Sequence, residues 1–231
     1  MGLGEEQIAH LRRAAHLCKA DLLTGLVGEF PTLQGQVGRE LALEEGEPQA
    51  VADAVAEHYR PAGADDPIPA TPQGRALTLT DKLDCIVGCF ALGHLPSGNQ
   101  DPYALRRNAL GVLRILDEAP LDLALSDLVA AAREVLESQS EELSAESLSV
   151  PSQAVLEFFR DRLYHRAVEA GHAHDLVRSV LAVGFDRPTA EEPLNHNVHR
   201  FWERLRALER CADEPWWPAL VELVDRTYRI Q

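Results

Sequence analysis

Of the 22 basic residues in the chain, 20 are arginine, and Lys19 and Lys82 are the two lysines. Three arginines, Arg106, Arg107 and Arg114, share one segment with Leu105, Val112, Leu113 and Leu116. On a helix this pattern sets guanidinium groups opposite an apolar face, and planar forks on a rigid support suit phosphate binding. A solvated face that pairs with nearby carboxylates would carry the same pattern. Where arginine is otherwise used throughout, a lysine marks a place that needs a compact ammonium. Lys19 stands in a Lys-Ala-Asp context and Lys82 in Asp81-Lys82-Leu-Asp84.

Other chemistry is less well supported. The nine histidines include His172 and His174 beside Asp175, and His196 three residues before His199. Neither group has the acidic partner of a His-Glu-x-x-His metal helix, so both read as surface polar residues. Cys85 and Cys89 share a helical face, but no second Cys or His pair follows to complete the roughly four ligands that zinc needs. With Cys18 and Cys211 they read as reduced thiols, mostly packed as small hydrophobes. No glycine-rich phosphate loop, nucleophile elbow or Ser/His/Asp spacing occurs, so no residue is assigned a catalytic role.

A chain of 231 residues with 45% hydrophobic residues can bury a core in one large or two modest domains. The net charge of −15 argues against a broad basic surface for nucleic acid or anionic membrane, so any nucleic-acid contact must be local. No apolar run reaches the ~18 to 20 residues of a membrane span and the N-terminus lacks signal-peptide features, which makes a cytoplasmic location the expectation.

The elements that would position these residues are helices. Ile8, Leu11, Ala15, Cys18, Leu22 and Leu26 follow steps of three and four, predicting one helix from Glu5 to Glu29 that stops before Pro31. Leu33, Val37 and Leu41 predict a second, in which Gly35 and Gly38 imply close backbone packing. A third starts near Pro48, and the four prolines from Pro61 to Gly74 mark a loop. Further helices are predicted over Ala76–Leu92, Pro102–Glu118 with Asp101 as cap, Ser126–Glu137, Gln153–Ala170, Ala173–Val183, His196–Arg210 and Pro218–Arg229. The serine- and glutamate-rich stretch from Ser138 to Ser152 reads as a linker. The fold class is all-α.

Five stretches then form a pattern: Arg13-Ala-Ala-His-Leu-Cys-Lys-Ala-Asp-Leu22, Gly28-Glu-Phe-Pro-Thr-Leu-Gln-Gly35, Ala56-Glu-His-Tyr-Arg-Pro61, Asp81-Lys-Leu-Asp84 and Asp101-Pro-Tyr-Ala-Leu-Arg-Arg107. In this order they resemble the beta subunit of bacterial tetrameric glycyl-tRNA synthetase. The likeness is dense from Arg13 to Ile115 and looser to Ile230. It implies an HD-like helical domain over residues 1–120, truncated at its N-terminus, then a helical linker body over 121–231 preceding an anticodon-binding domain.

That resemblance also implies partners and a site. An HD hydrolase would carry His-Asp where this chain has Cys18-Lys19, with a distant aspartate resembling Asp81. An ammonium in place of a carboxylate puts positive charge where a cation would sit, so no metal is expected. Lys19 is expected to pair with Asp81 or Asp84 as a buried bridge between helices. The implied partners are tRNA(Gly) and the alpha subunit, which would bind glycine and ATP with Mg; this region needs no cofactor of its own. Arg106 and Arg107 are the foremost candidates for tRNA contact, followed by Arg39, Lys82 and Arg114. Two rival readings are an HD-type metal-dependent phosphohydrolase, which metal analysis would reveal, and a protein-interaction module without an RNA role, which tRNA binding would exclude.

Overall fold

A computed structural model describes residues 2–98, 100–119, 121–139, 152–186 and 196–228. The described residues form eleven α-helices and no β-strand. The predicted linker falls largely on residues 140–151, outside the described residues, as do Arg229 and Ile230. No helix among the described residues is long and apolar enough to cross a membrane.

The first predicted helix is interrupted. Helix α1 runs Glu5–Leu17, a 3₁₀ turn covers Ala20–Leu23, and α2 runs Gly25–Glu29. The break has a tertiary cause: Asp21 is fully buried, and its carboxylate accepts from the Gly35 backbone N–H at 2.6 Å and the Tyr59 hydroxyl at 3.1 Å. Thr24 then restarts the helix, its hydroxyl oxygen accepting from the Val27 N–H at 3.3 Å. Leu22 and Leu26, placed by periodicity on the buried face, are consequently about half exposed.

Helix α3 spans Gln36–Glu44 and α4 spans Gln49–Glu57. They pack as closely as the glycines implied. Gly35 has φ +81°, and a Cβ there would stand 2.9 Å from both the Ala56 carbonyl oxygen and the Tyr59 ring; one on Gly38 would stand 2.9 Å from Val55.

Helix α5, Pro72–Ala91, begins four residues before the predicted start. Thr71 caps it by accepting from the Gly74 N–H at 2.9 Å, and Pro72 occupies the first turn, where its missing N–H costs nothing. Helix α6, Leu105–Glu118, starts later than predicted. Asp101 caps it as anticipated, accepting from the N–H groups of Leu105 at 2.7 Å and Arg106 at 3.0 Å, but Pro102 lies in the preceding turn.

The remaining helices are α7 (Leu125–Gln139), α8 (Ser152–Glu169), α9 (His174–Leu181), α10 (Val198–Ala212) and α11 (Trp217–Tyr228). Helix α5 is the hub, touching α1, α4, α6, α7 and α8. It carries Leu77 in a small core with Ala14, Cys18, Val51 and Val55, and Leu79, Leu83 and Ile86 in a larger one. The larger core continues through Leu113, Leu116, Leu125, Phe159 and Phe201, so it draws on both sides of residue 120.

Candidate functional site

Two polar groupings stand against these cores. The first gathers at the ends of α1 and α4 and the middle of α5. Lys19 Nζ lies 2.5 Å from Asp81 Oδ1. The expected bridge between two segments is therefore made to Asp81, while Asp84 is exposed and makes no ion pair among the described residues. The bridge is not buried: the Lys19 side chain is 54% exposed, because it leaves the chain just beyond the end of α1. Partial burial works against the Lys19 charge, yet the hydrogen bond and charge of Asp81 prevail and hold the ammonium above its ordinary range. Burial raises the Cys18 thiol, and Asp81 adds to the effect; the thiol donates to the Ala15 carbonyl at 3.3 Å. A thiol kept protonated is a poor metal ligand.

Two members of this cluster had no assigned role in the sequence reading. His58 is fully buried, with Nδ1 2.6 Å from the Val55 carbonyl oxygen. A carbonyl only accepts, so Nδ1 carries the proton, and Nε2 is enclosed without a partner. Burial pushes the imidazole below its ordinary range, only partly opposed by the Val55 hydrogen bond. Tyr59, beside it, is raised by burial. The Glu-His-Tyr-Arg-Pro stretch was visible as a motif; the inward direction of its ring side chains was not. Among the described residues, no group of three or more His, Cys, Asp or Glu is arranged to hold a metal ion.

The second grouping is basic, and the structure separates the five arginine and lysine candidates. Arg106 is half-buried and Arg107 exposed on α6, and neither guanidinium makes an ion pair among the described residues. Arg114 is committed elsewhere. It grips Glu118 at 2.7 Å and donates to the carbonyls of Ala64 and Asp66, each at 2.8 Å, locking down the loop after Pro61. Arg39 lies apart, between Asp53 at 2.8 Å and Glu40 at 2.5 Å. Lys82 departs from a surface role: it is 5% exposed, covered by Gly111 and Pro61. Arg107 and Arg114 do meet around one cavity, with Arg166 of α8 joining from beyond residue 120.

The sequence carries its own classification of this arrangement. A family model described as glycyl-tRNA synthetase beta subunit matches residues 2–182. The chain belongs to the glycyl-tRNA synthetase beta subunit family. It is similar to the glycine–tRNA ligase beta subunit of Desulforamulus reducens, 46% identical over 186 residues, covering 80% of this chain and 26% of that protein. The beta subunit of Shouchella clausii is 42% identical over 224 residues, covering 97% of the chain and 31% of the relative. That of Aromatoleum aromaticum is 49% identical over 176 residues, covering 76% and 25%. This beta-subunit region thus spans about a quarter to a third of the length of the curated relatives it matches. Membership in this family favours a ligase subunit over a phosphohydrolase, in keeping with the ammonium set against Asp81.

Proposed function

We propose that this region serves within a glycine–tRNA ligase as a helical part that holds tRNA(Gly) and supports the subunit architecture, without performing the chemistry itself. Glycine and ATP with Mg would be handled by the alpha subunit. The observation that carries the RNA role is on α6: among the described residues Arg106 and Arg107 have no ion pair, and Asp101 pins the backbone of the turn that presents them. Unpaired guanidiniums on a fixed turn can meet phosphate oxygens without first breaking a salt bridge. The Lys19–Asp81 bridge supports an architectural reading of the degenerate HD-like site, because it ties the end of α1 to α5.

With a net charge of −15 and a small basic patch, RNA affinity should be modest. Two or three phosphate contacts give a slope of about −2 to −3 for log affinity against log salt, taking ~0.9 per contact from duplex DNA. The test is the double substitution Arg106→Gln with Arg107→Gln in the whole enzyme, assayed by aminoacylation. KM for tRNA should rise far more than KM for ATP or glycine. Unchanged kinetics, or a change confined to ATP, would make these arginines architectural.

A further inference from the structure

The cavity between α6, α8 and the loop beginning at Pro61 has a volume of about 490 Å³. Arg107, Arg114 and Arg166 line it, and Pro61 and Gly111 form part of its wall. Lys82 reaches that wall from α5. A Cβ on Gly111 would stand 3.0 Å from Lys82 Cε and 3.1 Å from Cδ, so the lysine stem lies close against this glycine. The ammonium has one hydrogen-bond partner among the described residues, the Pro61 carbonyl oxygen, at the long distance of 3.5 Å. An ammonium has three donors, and enclosing it with so little compensation is costly. Burial lowers its proton affinity; Asp81 opposes that effect, and the charge of Arg107 adds to it.

The charges around the cavity leave room for an anion. Among the described residues Arg107 has no ion pair, whereas Arg166 is held by Asp117 at 3.1 Å and Glu118 at 3.7 Å. On the other side, Glu118 is held by Arg114, and Glu169 stands exposed at the rim. Lys82 feels the charge of Arg107, with Asp81 and Asp66 acting in the opposite sense. The volume exceeds what a bare phosphate needs and falls in the ~300–1,000 Å³ range of small-ligand cavities. Leu110 and Pro61 add apolar wall against which a sugar could lie.

We propose that this cavity seats one phosphodiester of a bound RNA, with Arg107 at its side, Lys82 behind the wall that Pro61 and Gly111 form, and the adjoining ribose against Leu110 and Pro61. The assignment rests on the RNA-holding reading above and adds to it a defined pocket on the face where α6 meets α8. It also gives Lys82 a role that a surface contact could not.

The experiment measures two things on the whole enzyme and on its Arg107→Gln, Lys82→Met and Glu169→Gln variants: binding of ribose 5-phosphate followed by ³¹P NMR, and tRNA binding across a salt series. For the unsubstituted enzyme, ribose 5-phosphate should bind in the millimolar range and compete with tRNA. Arg107→Gln and Lys82→Met should each weaken the sugar phosphate about tenfold and make the tRNA salt slope shallower by about 1. Glu169→Gln, which removes the rim carboxylate, should tighten both ligands severalfold. Arg107 is exposed, so its variant keeps the test decisive even if Lys82→Met fails to fold. Absence of ribose 5-phosphate binding, or binding indifferent to Arg107→Gln, overturns the seat; a simultaneous rise in KM for tRNA in the Arg106/Arg107 double variant would leave the wider RNA reading standing. Sugar-phosphate binding that Arg107→Gln abolishes while tRNA affinity and its salt slope stay fixed overturns the assignment of the seat to RNA.

Discussion

Lys19 shows how exposure governs the value of a charge pair. A fully buried bridge broken from one side would cost about 3–5 kcal/mol. With the lysine side chain 54% exposed, the pair with Asp81 belongs with surface bridges, worth about 0.2–1 kcal/mol. Lys19→Met should therefore lower the melting temperature by no more than about 2–4 °C for a chain of this size. Arg12→Met, which removes an exposed side chain with no ion pair among the described residues, should leave it nearly unchanged. Calorimetry on both variants checks the ordering, and equal shifts would deny Lys19 its bridging role. Its sequence neighbour in kind, Lys82, illustrates the opposite case. It lies almost entirely inside, and its context of Asp81 and Asp84 gave no hint of that, because the covering residues Pro61 and Gly111 come from distant segments.

Between elements, close approach is set by single glycines. The turn into α3 needs Gly35, which has φ +81° and faces the Ala56 carbonyl and Tyr59 ring at distances no Cβ tolerates. Gly35→Ala should destabilise the fold by more than about 1 kcal/mol, since it combines a strained backbone with a clash against α4. Gly88 of α5 offers the control: a Cβ there meets nothing within 4 Å, and alanine in a helix interior is favoured by about 1 kcal/mol. Urea denaturation should thus move the two variants in opposite directions. The sequence made the need for close packing at Gly35 visible. It did not reveal that Asp21 accepts the Gly35 N–H and so breaks the first predicted helix.

Across the whole molecule, the larger core joins helices from both halves of the chain. Helix α6 packs on α8 and α10 and buries Leu113, Ile115 and Leu116 completely. Each such side chain contributes about 1.5–3 kcal/mol by leaving water. A chain cut after residue 120 would expose that face, so it should unfold without the sharp transition of the full chain when followed by circular dichroism. A cooperative melt of residues 1–120 at a similar temperature would show that the first six helices stand alone. The same packing of α6 on α8 creates the cavity that Arg107 and Arg166 share.

The sequence by itself determined the helical class, most helix ends and the family. These depend on neighbours within a turn or two: apolar residues three and four apart, Thr or Asp ahead of a first turn, and motifs read in order. It also offered Arg106 and Arg107 as candidates for RNA contact, and narrowed the partner of Lys19 to Asp81 or Asp84, of which Asp81 forms the pair. Tertiary structure alone decided that Asp21 turns inward, that His58 is enclosed with a free Nε2, that Arg114 is committed to a loop and that Lys82 is covered. Each of those outcomes requires a partner many residues away, and which partner arrives is fixed only when the helices pack.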